Sequence, residues 1–234
     1  MKTFAIIVAG GSGSRMKTKI PKQFMEIDGT PILMHTIRKF LSLSPAPQVV
    51  LVLPSHEFKK WYELCDKHNF YELVMLVPGG ASRFDSVKNG LKAIKSPDGL
   101  VAVHDGVRPF VSESIIQKSY EVAAQTGAAV ACILPKDSVR QTTNDTDSQA
   151  LDRSAVRLVQ TPQTFELNLM RSAFDTPARP EFTDCASVLE AAGHAVTLIE
   201  GSYDNIKITT PDDLAWANIF VSKVAVQITP EGDL

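Results

Sequence analysis

With 234 residues, 44% of them apolar and 21% charged, the chain has the make-up of a globular protein with a full core, as one large domain or two small ones. A net charge of −2 and a pI near 6.2 leave no global basic field for gripping nucleic acid, so any anion site must be local. Cys65, Cys132 and Cys185 are scattered without C-x-x-C spacing and support neither a disulfide framework nor a zinc knuckle; no apolar run is long enough to span a bilayer, and a cytoplasmic location is expected.

The chain opens with a continuous apolar run, residues 4–9, stopped by Gly10, Gly11 and Gly13. This reads as a buried strand opening into a loop. Glycine lacks a Cβ, so backbone N–H groups of such a loop can approach an anion closely. Arg15 and Lys22 add two cations at the same place, and the combination suggests a polyphosphate site. It is neither a dinucleotide fingerprint nor a P-loop, because Met16 stands where either pattern needs a small residue.

Residues 25–32 predict a short hairpin turning at Asp28-Gly29, and residues 31–43 a helix begun by Pro31, with Leu33, Ile37, Phe40 and Leu41 on one face. Strand 49–53 shows no polar alternation, as in a parallel sheet covered on both sides. Ser55 caps a helix to about His68; His56 and His68 read as surface positions on it, with no second metal ligand spaced nearby. Strand 73–77 ends in Pro78-Gly79-Gly80 before a helix over 82–94, which repeats the opening layout and places Arg83 and Ser86 in a first helical turn. In open parallel sheets ligands gather beyond the carboxyl ends of the strands, so the two glycine turns are expected to line one crevice.

Strand 100–104 delivers His104-Asp105-Gly106-Val107-Arg108-Pro109 to that edge. Asp105 is either a turn-forming carboxylate or a ligand for a metal ion that accompanies phosphates, and the adjoining Arg108 and Pro109 favour the functional alternative. His104 fits a core histidine. After a helix over 112–125 and a strand over 128–134 the alternation breaks. Residues 136–158 are polar, with strand-compatible flanks at 138–142 and 155–160 around a turn at 142–145. An uncovered hairpin exposes unpaired edges, so an arm embracing a second subunit in a symmetric dimer is expected. Arg153, near its return, is either a solvated arginine or one that reaches a neighbour's site.

Residues 161–165 read as a rigid loop, and 166–174 and 185–192 as helices, the second capped by Thr183 or Asp184 with the other side chain left for a ligand. Strands over 196–199 and 206–208 follow; Lys207 in the latter is exposed or turned into the crevice. A helix from Pro211 to about Val224 ends the fold, and 226–234 reads as a flexible tail. The whole is an α/β, Rossmann-like, doubly wound and mostly parallel sheet, a single domain over 1–225 with the arm inserted near 136–158.

Two glycine turns, Arg15, Lys22 and a strand-end Asp, without an evident Ser-His-Asp set or cysteine nucleophile, point to nucleotidyl or phosphoryl transfer, where positioning and charge stabilisation do most of the catalysis and magnesium accompanies the phosphates. The segments Ala9-Gly10-Gly11-Ser12-Gly13-Ser14-Arg15-Met16, Pro21-Lys22-Gln23-Phe24, Gly79-Gly80 with Arg83 and Ser86, 103–109, Thr161-Pro162-Gln163, Thr183-Asp184 and Asn205-Ile206-Lys207 together resemble the 2-C-methyl-D-erythritol 4-phosphate cytidylyltransferase family, in order from about residue 4 to about 217. The resemblance implies transfer of CMP from CTP to methylerythritol phosphate with release of pyrophosphate, in the non-mevalonate isoprenoid pathway. It implies that Arg15 and Lys22 are catalytic, and that Ala9, Gly10, Gly11, Ser12, Gly13, Gly80, Arg83 and Ser86 bind the nucleotide. Asp105, Arg108, Thr161, Thr183 and Lys207 would bind the polyol phosphate, with Ser138 and Arg153 reaching in from the arm of a homodimer partner. Magnesium would sit mainly on the CTP phosphates, with Asp105 as an alternative ligand. Ala81, Ser138 and Cys185 depart from residues common in relatives. A ribitol 5-phosphate cytidylyltransferase and an inactive nucleotide-binding regulator are the rival readings.

Overall fold

The apolar runs of the sequence become the inner strands of a seven-stranded sheet, seen in a computed structural model that describes residues 1–10, 20–144 and 146–228. In chain order, β1 (Thr3–Val8) is followed by the two-residue strands β2 (Glu26–Ile27) and β3 (Thr30–Pro31), which form the hairpin at Asp28-Gly29, and by helix α1 (Ile32–Leu41). Then come β4 (Gln48–Leu53), α2 (Phe58–Lys67), β5 (Val74–Pro78), α3 (Arg83–Ala93), β6 (Leu100–Asp105), α4 (Glu113–Thr126) and β7 (Ala128–Ile133). The arm follows as β8 (Arg140–Thr142) and β9 (Ser148–Ala150), and the chain closes with β10 (Leu158–Glu166), α5 (Leu167–Ala173), α6 (Cys185–Ala191), β11 (Thr197–Glu200) and α7 (Pro211–Ile228). Of the tail expected over 226–234, residues 226–228 instead continue α7, and 229–234 lie outside the described residues.

The sheet order is β11-β7-β10-β6-β1-β4-β5, with β10 antiparallel to both of its neighbours and the other pairs parallel. Successive strand residues point to opposite faces, so β1 sends Ala5 and Ile7 into one layer and Phe4 and Ile6 into the other. The first layer is closed by α1, α2 and α4 through Ile37, Trp61 and Tyr120; the second by α3, α5 and α6 through Val87, Met170 and Leu189. Burying each large apolar side chain contributes about 1.5–3 kcal/mol, and the two layers fix where the strand ends lie. Helix α3 sits especially close: a Cβ on Gly90 would come within 2.8 Å of Ile6 Cγ2.

Ser55 caps no helix; it opens a 3-10 turn, Ser55–Glu57, ahead of α2. Three more expectations change. Residues 161–165 are not a loop but the middle of β10, slotted between β6 and β7. Pro162 has no N–H to give the ladder, and the pairing with β7 shifts register between Val159 and Gln163, which is why the stretch looks loop-like in sequence. Residues 206–208 form no strand; they are irregular chain tied by Ile208 N–H to the Val107 carbonyl at 2.9 Å. The arm's return strand is β9 rather than 155–160, because residues 153–155 make a 3-10 turn after Asp152, whose carboxylate accepts from Ser154 N–H. Among the described residues no helix is long and apolar enough to cross a membrane.

Candidate active site

The carboxyl ends of β1, β4, β5 and β6 meet at one edge, and the backbone ladder continues past them: Ala9 N–H donates to Val52 O (2.9 Å), Gly79 N–H to Leu53 O (2.7 Å) and Gly106 N–H to Val8 O (2.9 Å). The turns after the strands are thereby fixed in position. Ser82 caps α3 in a reciprocal capping box with Asp85, which sets the first helical turn against Gly80. Any side chain at Gly80 would collide with Asp85, so the turn must be glycine here. The Ser86 hydroxyl, buried, accepts from Gly80 N–H at 3.1 Å and lies 3.9 Å from where a Gly10 Cβ would be, so it bridges the two glycine turns. The turns do line one crevice, a cavity of about 230 Å³.

Ala9, Gly10, Gly80 and Ser86 form one part of its wall, and Lys22, Arg83, Asp105 and Lys207 supply the charge. Lys22 is 8% exposed and belongs to a 3-10 turn, Lys22–Phe24, anchored by the stacking of Phe24 on Trp61. Asp105 is buried at the end of β6, held by its own N–H to Thr161 Oγ1 (3.1 Å). Three cations surround its carboxylate: Lys207 Nζ at 3.0 Å and Arg108 Nε at 3.3 Å on Oδ2, and Arg83 Nε at 3.8 Å on Oδ1. Burial alone would raise its pKa, but Lys207, then Arg83 and Arg108, hold the carboxyl well below the usual carboxylate range. It is therefore an anion shared among cations. That surplus of positive charge suits a phosphate and is the reverse of a divalent-metal ligand, which weighs against the metal alternative for Asp105. Among the described residues no three His, Cys, Asp or Glu side chains come together to hold a metal ion.

The other sequence-named residues fall into four groups. Arg108 and Thr161 join Asp105, Arg108 Nη1 also donating to Asn205 O at 2.6 Å, and Lys207 is turned toward the crevice with its side chain 40% exposed. Thr183 is exposed; Asp184 is the cap of α6, accepting from Ser187 N–H at 2.8 Å, so Thr183 is the side chain left over. Ser138 and Arg153 are exposed on the arm and line no part of the cavity; Arg153 Nη1 donates to Lys136 O at 2.8 Å. Gly11, Ser12, Gly13 and Arg15 lie outside the described residues.

Two buried groups frame the cluster. His104 is a core histidine, edge-on to Phe40 at 5.0 Å, with Nε2–H donating to Arg108 O at 3.1 Å; burial pushes its pKa down to about 4, so it is neutral at pH 7. Cys185, one of the departures, receives Arg83 Nη1 at 3.3 Å; burial pushes its thiol up, leaving Asp105 as the counter-charge of Arg83. Sequence reasoning missed Gln160 as a participant and gave Gln163 and Asn205 no role. Gln163 Oε1 accepts from Cys185 N–H at 2.9 Å, and its Nε2 donates to Asp184 Oδ2 at 2.9 Å, so it ties β10 to the start of α6. The two glutamines lie in β10, whose polar residues and proline made it read as a loop, and Asn205 lies in a segment with no regular structure, so no local pattern marked them.

Comparison with known proteins agrees with this architecture. Residues 3–223 match the family model for 2-C-methyl-D-erythritol 4-phosphate cytidylyltransferase. The chain is 46% identical over 214 residues to the protein of that name from Bacteroides thetaiotaomicron, covering 92% of this chain and 97% of the relative. It is 45% identical over 223 residues to the one from Porphyromonas gingivalis, covering 94% and 98%. The crystal structure of 4-diphosphocytidyl-2C-methyl-D-erythritol synthase from Anaerococcus prevotii superposes with a TM-score of 0.81 at 28% identity, covering 94% of this chain and 96% of that one. The Thermus thermophilus 2-C-methyl-D-erythritol 4-phosphate cytidylyltransferase structure gives 0.74 at 30% identity, covering 95% and 100%. Matched by the family model over residues 3–223 and by these relatives over nearly its whole length, the chain belongs to the 2-C-methyl-D-erythritol 4-phosphate cytidylyltransferase family.

Proposed function

We infer that the protein transfers the cytidylyl group of CTP to 2-C-methyl-D-erythritol 4-phosphate in the isoprenoid pathway. The observation that carries the reading is the crevice itself, which joins two glycine turns and Lys22 to the Asp105 cation cluster in a chain of this family. The nucleotide lies along Ala9, Gly10, Gly80 and Ser86. A phosphate oxygen of the polyol phosphate attacks the α-phosphorus, the bond to the β-phosphate bridging oxygen breaks, and pyrophosphate leaves. Because the nucleophile is already an anion, no protein base is required. The protein's contribution is to hold both anions and to meet the charge that builds at the α-phosphate with Lys22 and Arg15.

On the acceptor side, Arg108 and Lys207 hold the substrate phosphate, with Asp105 fixing their directions; Thr161 and Thr183 complete this side. Magnesium, if carried, rides on the triphosphate, since Asp105 is already shared among three cations. Arg153 and Ser138 act in a neighbouring subunit's site. The support for this is the exposed hairpin, whose root is flanked by the exposed apolar residues Leu134, Leu158 and Leu198. The unpaired cysteines accord with a cytoplasmic enzyme.

Pyrophosphate release from CTP, with methylerythritol phosphate and ribitol 5-phosphate offered separately, tests the assignment. Methylerythritol phosphate is expected to win by a large margin in kcat/KM; a preference for ribitol 5-phosphate overturns the acceptor, and release with neither overturns the function.

A further inference from the structure

We propose that Asn205 and Gln160 are positioning residues for the acceptor: an interlocked pair of buried side-chain amides that holds Lys207 and Arg108 around Asp105. The inference rests on the reading of Lys207 and Arg108 as holders of the polyol phosphate.

Lys207 sits on a segment, residues 201–208, with neither helix nor strand to hold it. Backbone bonds tie only its ends to the sheet region, Gly201 N–H to Cys132 O (2.8 Å) and Ile208 N–H to Val107 O (2.9 Å). Between them Tyr203 Oη–H donates to Leu134 O (2.9 Å) at the surface, and the buried connections centre on two amides, Asn205 at 0% and Gln160 at 5% exposure. Asn205 Nδ2 donates to Thr161 O (2.8 Å) and to Gln160 Oε1 (3.2 Å). Gln160 Oε1 also accepts from Ser202 N–H (3.3 Å), and Gln160 Nε2 donates to Ser202 O (2.8 Å) and Asn205 O (3.4 Å). The partners dictate both amide orientations, because Asn205 Nδ2 faces two acceptors and Gln160 Nε2 faces two carbonyls.

The pair reaches the reacting side by three routes. Arg108 Nη1 donates to Asn205 O at 2.6 Å, Thr161 receives Asp105 N–H on its hydroxyl, and Lys207 follows Asn205 by two residues and meets Asp105 at 3.0 Å. Neither amide lines the cavity, so both act through these neighbours. The glycine turns at Gly10 and Gly80 belong to β1, β5 and α3 and share none of these bonds. The consequence is a split: disturbing the amides loosens the acceptor side and spares the nucleotide side.

Steady-state pyrophosphate release with CTP and methylerythritol phosphate reads that split. Asn205→Ala is expected to raise KM for methylerythritol phosphate by about tenfold to a hundredfold, the scale for a displaced positioning group, with KM for CTP changed by less than about twofold. Gln160→Met, which keeps length but removes both polar atoms, moves the same constant, and it carries the test if Asn205→Ala does not fold. In a Lys207→Ala background the Asn205→Ala effect on that KM is much smaller than in the wild type, because the two changes act along one route. Equal increases in both KM values, an unchanged acceptor KM, or a full multiplicative effect on top of Lys207→Ala overturns the proposal. Wild-type turnover is measured alongside: its absence overturns the functional reading and this inference with it, whereas normal wild-type turnover with no split overturns the positioning alone.

Discussion

The Asp105 cluster and the β8–β9 hairpin are both rich in polar side chains, but those groups find partners in different places. Around Asp105 the partners come from the turn after β6, from β10, from α3 and from the 201–208 segment, and they meet at one buried carboxylate. In the hairpin every strand residue is exposed and the bonds are local: Arg140 Nε donates to Ser148 Oγ at 2.8 Å, and Asn144 Oδ1 accepts from Thr146 N–H at 2.9 Å. The charge cluster is assembled from distant parts of one chain and finds its partners there. Among the described residues the hairpin's bonds stay local, which leaves its outer surface to solvent.

The largest expected effect lies on the buried side. Lys22→Ala should lower kcat by about 10²- to 10³-fold, the scale for removing one preorganised stabiliser of developing charge. A variant within a few-fold of wild type would remove Lys22 from the chemistry and leave that role to Arg15 alone.

Asp105→Asn keeps the shape of the side chain but leaves Arg108, Arg83 and Lys207 without their counter-charge. Breaking a fully buried pair costs about 3–5 kcal/mol; with Lys207 partly solvated, about 2 kcal/mol is expected at pH 7 in urea unfolding. The pH dependence follows from the direction of the shift. The folded-state pKa of Asp105 lies below its unfolded value, so its contribution is fully present above the ordinary carboxylate range and is lost as pH falls below about 4. The stability gap between wild type and Asp105→Asn should therefore close on acidification. A gap independent of pH would show that the cluster's charges are not coupled in folding.

Sequence legibility follows the same division. The strands, the helices flanking them and the two glycine turns could be read because apolar periodicity and glycine breaks are local signals. Lys22, Asp105 and Arg108 were legible as charges stranded at the ends of apolar runs. The pairing of Arg83 with Asp105, across two elements, was not, since no local pattern states which side chains face each other over a crevice. Gln160 and Asn205 were missed for a related reason: a polar residue buried by its partners looks, in sequence, like one exposed in a loop. Pro162 compounded this by making the middle of β10 resemble a turn.

The smallest expected effect tests the arm. Arg153 is exposed and bonded to Lys136 O, and it lines no part of its own chain's crevice, so Arg153→Ala should leave monomer stability within about 0.5 kcal/mol of wild type. If it serves a partner's acceptor site, turnover at low methylerythritol phosphate should fall about tenfold, the loss of one partly desolvated charge-assisted hydrogen bond. The decisive measurement mixes subunits. In a hybrid of Lys22→Ala with Arg153→Ala chains, the site built on the Lys22→Ala chain receives the Arg153→Ala arm and carries both lesions. The site on the other chain retains Lys22 and receives an intact arm, so it is free of both. Mixing and re-equilibration should then restore activity above that of either parent, toward one working site per hybrid dimer. If Arg153 acts within its own chain, each site keeps one lesion and nothing is recovered. Activity that never exceeds the more active parent, in a mixture shown to exchange subunits, would rule out action of Arg153 across the interface.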